Sequence, residues 1–257
     1  MTLSLVLYCG LFLLLVSVAA LVRPLRRMGI PNRMVATALM LVSLTMIGAV
    51  LAWPVPRTKS GNKDTLLGRS LPQYQFDEHH EVTICAPPAR IMEAVRGVSA
   101  EEIRFFRALI AIRRLHRVSS AREKEPLLEV AQRGGFVALG EIADREIALG
   151  TAGPFWAAGV SDIADAGLLR IQLLSSKNDP ARFAHLELRG YPKAVIHFLL
   201  KEGAGGCHVL VTETRIGAPV ADSARKFARY WRLIYPGSAL IRVMWLDAIK
   251  RRAEMPR

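Results

Sequence analysis

Few cysteines and an absence of signature loops leave most enzyme classes without support in this chain. Its 257 residues include three cysteines, none in a Cys-x-x-Cys pair, and no His/Cys cluster stands at zinc spacing. Neither a structural zinc nor a dithiol redox centre is expected from such usage. The P-loop, Gly-x-Gly-x-x-Gly, His-Glu-x-x-His and Gly-x-Ser-x-Gly patterns are all missing. With them go the loops that hold phosphates, the helix that holds a catalytic zinc and the elbow that presents a serine nucleophile. Gly203-Ala204-Gly205-Gly206 is glycine-rich but lacks the following helix and lysine of a phosphate loop. No pair of carboxylates announces acid/base work, no segment repeats and no tract is of low complexity. No metal and no cofactor are expected.

Charge is scarce in the first part of the chain. No acidic residue precedes Asp64, and Leu3–Val22 and Met34–Trp53 are each twenty residues without a charge. They account for much of the 51% hydrophobic content. As helices each rises about 30 Å, the hydrocarbon thickness of a bilayer. Two transmembrane helices, about residues 3–22 and 34–53, are therefore expected in a hairpin spanning 1–56, which makes the chain an integral protein of the cell membrane. A cleaved signal peptide is the alternative for the first run, since Ser17-Val18-Ala19 resembles a cleavage site, but no Lys or Arg precedes it and the run is longer than a signal core. Lipid attachment at Cys9 is disfavoured by Tyr8. The side faced by the main domain stays open. Arg23, Arg26, Arg27 and Arg33 in the connecting loop are balanced by Arg57, Lys59, Lys63 and Arg69 after the second helix, and only the denser loop favours an outward-facing domain.

Four of the 35 basic residues lie in the hairpin loop and all 22 acidic ones follow it, which leaves +9 on the remainder. For a domain tethered beside a bilayer, an anionic lipid surface is the simplest partner for that charge, notably through Arg225, Lys226, Arg229 and Arg232. No nucleic acid is expected, because the basic run Arg113, Arg114, His116 and Arg117 lacks interleaved aromatic platforms and suits a helix C-terminus.

Residues 57–77, rich in proline, glycine and charge, read as a linker. A strand follows with His80, Val82, Ile84 and Ala86 on one face. Ala89–Val95 forms a short helix after Pro87-Pro88, and Ser99 with Glu102 makes a capping box opening a helix through Phe105–Ile112. Pro126–Arg133 is helical and stops at Gly134-Gly135. Phe136–Ala143 and Glu146–Ala152 form a hairpin turning at Asp144-Arg145. Leu168–Leu174 reads as a strand, Asp179–Leu186 as a helix with Pro180 in its first turn, and Ala194–Leu200 and Cys207–Ile216 as strands. The chain closes in a long basic helix carrying Phe227, Tyr230, Trp231 and Ile234 at spacings of three and four. Pro236-Gly237 is expected to kink it or break it briefly, after which Ser238 can cap the new turn. Were the first strand antiparallel to the last, Cys85 and Cys207 would come close. A disulfide between them requires an exported domain, and two buried thiols are the alternative.

This order gives an α+β domain, a curved antiparallel sheet around the terminal helix with a cavity between them. Glu213 and Arg215 share one sheet face, as a rim ion pair or a clasp on a polar head. His197, between Ile196 and Phe198, is either a structural histidine or a proton carrier. Phe155, Trp156, Phe227 and Trp231 are apolar walls of a core or of a ligand site.

Several motifs carry a family resemblance: Gly153 to Trp156, Thr212 to Arg215, and Tyr230-Trp231 with Pro236-Gly237-Ser238, Ile241-Arg242, Trp245-Leu246, Ile249 and Arg252. Over residues 78–254 the chain resembles the START-like (SRPBCC, helix-grip) superfamily, which includes relatives of the birch-pollen allergen and polyketide cyclases, and within it a bacterial branch. The resemblance implies a helix-grip fold but leaves function among lipid binders, cyclases and regulators. Three functions are compatible with it. The first is a membrane-anchored binding protein that holds an apolar small molecule or lipid, with Phe155, Trp156, His197, Glu213, Arg215, Phe227 and Trp231 as ligand-binding candidates. The second is a cyclase- or aromatase-like enzyme using His197 or Glu213, and the third a protein-interaction module whose cavity is filled.

Overall fold

The computed structural model describes residues 2–103, 124–156, 166–188 and 190–255. It divides into two units, Met1–Val55 with Ala228–Pro236, and Pro56–Phe227 with Gly237–Arg257.

In the first unit, α1 (Thr2–Val22) and α2 (Arg33–Ala52) are joined through a 3-10 turn at Arg26–Met28. Gly29 ends that turn in the left-handed region at φ 77°, where a side chain would be strained. The Asn32 side chain then caps α2 by accepting a hydrogen bond from the Val35 N–H at 3.0 Å. Both helices are long and apolar enough to cross a membrane. Their buried positions are mostly small, among them Ser4, Gly10, Ser17, Ala20, Ala36 and Ser43, and small residues let two helix backbones approach. A Cβ at Gly10 would come within 3.0 Å of Ile47. The hydroxyls of Ser17 and Ser43 donate back to carbonyls of their own helices, so neither is left unpaired in an apolar setting. The segment 228–236 joins this unit through polar clamps. Tyr8 Oη donates to the Leu233 carbonyl at 2.7 Å. The Arg232 guanidinium donates to the carbonyls of Trp53 at 2.8 Å and Pro54 at 3.2 Å just after α2, and to that of Leu51 in its last turn at 3.4 Å, an orphan acceptor of the helix end.

The second unit is built on a five-stranded antiparallel sheet. Its elements are β1 (Lys59–Ser60), α3 (Leu66–Ser70), β2 (Gln73–Tyr74), β3 (Phe76–Ile84), α4 (Pro88–Gly97), α5 (Leu127–Arg133), β4 (Val137–Ile142), β5 (Glu146–Ala152), α6 (Ala166–Leu174), α7 (Pro180–His185), β6 (Lys193–Glu202), β7 (His208–Gly217) and α8 (Ala221–Glu254). The sheet order is β3-β7-β6-β5-β4, with β1 and β2 pairing separately. The first long strand thus lies beside the last, with Ile84 opposite His208. One step beyond that pair, Cys85 and Cys207 form a disulfide. Of the two alternatives for these residues, the bridge is the one found.

Each sheet face carries its own core. On one side Ile84, Leu149, Ile196, Phe198 and Leu210 pack with Ile91 and Val95 of α4 and with Trp245, Leu246 and Ile249 of α8. On the other, Ala148, Val195 and Leu139 pack with Leu66, Leu67, Leu71, Tyr74, Leu169, Leu173 and Phe183. The period-two pattern of the strands assigns neighbours to opposite layers. The C-terminal end of α8 is pinned to β3, where Glu254 accepts from the Cys85 N–H at 2.9 Å and Lys250 donates to the Thr83 carbonyl at 2.9 Å.

Three sequence expectations change here. Leu168–Leu174 is helical in α6, not a strand; an apolar run of that length is ambiguous by period alone, and α6 resolves it by burying Leu169 and Leu173, four apart. Residues 57–77 are not bare linker: Leu66, Leu67, Leu71 and Tyr74 bury against the sheet and form a strap over it. Helix α8 runs through Pro236, so of the kink or short break expected there the break is not found; a proline removes only its own donor and strains only the preceding turn. The capping box at Ser99 and Glu102 is present, whereas the helix expected over Phe105–Ile112 and the basic run after it lie outside the described residues.

Candidate functional site

Polar side chains lie on both faces of the sheet, and their partners differ. On the strap face, β5 and β6 bring Glu146 and His197 together diagonally, with Ala148 directly opposite His197. His197 Nδ1 lies 2.7 Å from Glu146 Oε1, and the side chains are 2% and 1% exposed. The same carboxylate accepts from the backbone N–H of Leu66 at 3.0 Å and of Leu67 at 3.3 Å, at the start of α3. Burial pushes the Glu146 carboxyl up. The hydrogen bond from His197, the two backbone N–H donors and the attraction of the imidazole charge outweigh it, so the group titrates below its ordinary value. His197 Nε2 has no hydrogen-bond partner among the described residues.

The β7 motif residues continue this face. Glu213 stands opposite both His197 and His79. Arg215 Nε donates to Glu213 Oε1 at 2.6 Å, and its guanidinium carbon sits 4.6 Å from the centre of the Tyr74 ring, a cation–π contact. Gly61 of the strap makes room for it, since a Cβ there would collide with the guanidinium. His197, Glu213 and Arg215 therefore share one face, the one turned away from the core that includes Trp245 and Ile249.

On the helix-facing side a second polar group is buried. Glu78 of β3 is 3% exposed; its carboxylate accepts from the Ser238 hydroxyl of α8 at 2.8 Å and lies 3.0 Å from His80 Nε2. The carboxylate is the central member, so no imidazole stands on the serine oxygen and the arrangement does not activate a nucleophile in the manner of a Ser-His-Asp triad. Thr212 pairs with His80 on one side and Phe198 on the other. The Phe198 ring lies 5.0 Å from that of Trp245 in edge contact, and the Arg242 guanidinium 5.5 Å from the same indole. Thr212 Oγ1 and Trp245 Nε1 make no hydrogen bond among the described residues.

Of the aromatic candidates, Phe227 packs on Phe76 at 4.9 Å and on Phe155 at 5.7 Å, and Trp156 follows half-buried. Trp231 belongs to the first unit, with its ring 5.5 Å from Tyr235. Sequence reasoning missed Glu78, Ser238 and Glu146. The legible signal for Glu78 was its phase: it is two residues before His80, on the face assigned to apolar packing. Among the described residues, no group of three or more metal-ligating side chains stands together.

No family model, curated protein or solved structure matches the chain.

Proposed function

We propose that the chain is a membrane-anchored binding protein that takes an apolar small molecule or lipid between its sheet and C-terminal helix, in a helix-grip arrangement. Glu78 carries this reading. A carboxylate buried in an apolar layer is costly to fold around, and a layer needing only a core would hold an apolar side chain there. Tied to Ser238 and His80, it suits recognition of a polar end while Phe76, Phe155 and Phe227 supply apolar wall. The pairing of first strand with last, and the long helix across one face, support the helix-grip assignment.

The hairpin is proposed to cross the cell membrane with the domain on its oxidising side. Support comes from the Cys85–Cys207 bridge and from the denser spacing of Arg23, Arg26, Arg27 and Arg33 against the four basic residues that follow the second helix. Thiol counting on acid-quenched cells tests this. One maleimide addition, at Cys9, is expected before reduction and three after; three before reduction would place the domain in a reducing compartment.

For the binding function, native mass spectrometry of the full chain from detergent, with organic extraction, should release a discrete small-molecule mass. A chain still clean after incubation with lipids and polycyclic aromatics would favour an interaction module. A second reading, a cyclase-like enzyme, draws on the strap face, where Glu146 holds Nδ1 of His197 and leaves Nε2 as the available proton acceptor.

A further inference from the structure

Resting on the binding reading above, we infer that the ligand carries a neutral oxygen, a hydroxyl or carbonyl, received by Thr212 and Trp245. Each has one polar side-chain atom, and in both that atom is buried without a hydrogen bond among the described residues. Thr212 is 1% exposed and Trp245 8%. A buried polar atom left unmade is costly, and natural folds seldom retain one without a use.

The two atoms lie in one layer. Thr212 is the cross-strand neighbour of Phe198, whose ring touches the Trp245 indole. Ser238 and Trp245 are seven residues apart on α8, two turns along one helical face, and Ser238 meets Glu78 in the same layer. An indole N–H only donates and a threonine hydroxyl can donate, so the group complementary to each is an acceptor oxygen.

The charges around them select against an ionised head. Glu78 already brings a carboxylate into the layer, and a second anion beside it in low dielectric is repelled. A long-chain alcohol, a ketone or an ester fits, whereas a free fatty acid or a phosphate does not.

Equilibrium competition of the full chain in maltoside micelles, read by native mass spectrometry, tests this with three probes: hexadecan-1-ol, hexadecane and hexadecanoate. Hexadecan-1-ol should bind about tenfold or more tighter than the other two, as expected for one or two added hydrogen bonds. Thr212→Val should cost about five- to tenfold of the alcohol affinity and leave hexadecane unchanged, while Thr212→Ser retains binding. The same Thr212→Val chain, free of ligand, should melt at a higher temperature, because it loses an unpaired hydroxyl and keeps its shape. Equal affinity for alcohol and alkane, or a lower melting temperature for the ligand-free Val variant, overturns the inference and leaves the binding reading standing. Failure of all three probes to bind overturns both.

Discussion

β6 and β7 carry polar side chains to both faces of one sheet, and the two faces treat them differently. Under the strap, Glu146 is engaged by an imidazole and two backbone N–H groups, and Arg215 by Glu213 and the Tyr74 ring. His197 and Arg215 each keep one unpaired nitrogen, yet each is already anchored through another. Between sheet and α8, Thr212 and Trp245 each have a single polar side-chain atom, and it has no hydrogen-bond partner among the described residues. Polar groups held by partners within the chain fix parts of a fold in place; those without a partner among the described residues are the ones the proposed ligand is assigned to. Residue type alone does not separate the two, since a buried glutamate and a histidine occur on each face.

The contrast is open to mutation. Glu146→Ala should have the largest effect, a loss of about 3–5 kcal/mol in chemical denaturation of the full chain, because it strands a buried imidazole and two N–H donors. If the strap face were merely a binding surface, that loss would be absent. Glu78→Gln should cost about 1–3 kcal/mol at most, since the amide oxygen still accepts from Ser238, but should weaken ligand retention in mass spectrometry. A larger stability loss for Glu78→Gln than for Glu146→Ala would reverse the assignment of the two faces. Arg215→Lys, losing the planar donor and the stacked ring, should cost about 1 kcal/mol. Arg96→Ala removes a solvent-exposed partner of Glu141 and should change stability by less than about 1 kcal/mol.

Acidity sharpens the same comparison. Because Glu146 titrates below its ordinary value of 4.5 in the folded chain, its contribution is complete above that value and is lost as pH falls through the lower folded-state value. The gap in melting temperature between the parent chain and Glu146→Gln should therefore be constant near neutrality and close below about pH 4.5. A gap that widens on acidification would mean that the carboxyl is held above its ordinary value.

Much of the architecture was legible in local chemistry. Asp179-Pro180, the Ser99/Glu102 box, Gly134-Gly135 and Asp144-Arg145 mark element boundaries that the structure respects, and the closeness of Cys85 and Cys207 followed from supposing that the first strand lies antiparallel to the last. Misreadings arose where the decisive partner was distant in sequence. The strap looks like linker until Leu66 and Leu67 are seen to meet the sheet face around Ala148 and Val195, and Ser238 looks like a helix cap until Glu78 appears beside it, 160 residues away. The polar faces were harder still. Alternation assigns residues to two sides, but not which side receives the strap, so Glu146 was indistinguishable from an exposed strand-end carboxylate.

The bridge between Cys85 and Cys207 encloses a span of 122 residues. A protease that cuts the backbone once anywhere within that span leaves both pieces in one covalent molecule, still attached to the N-terminal hairpin. Such a nicked chain would migrate as intact in a non-reducing gel and fall into two fragments only after reduction. Separating the disulfide-closed span from the hairpin therefore requires a cut between the hairpin and Cys85.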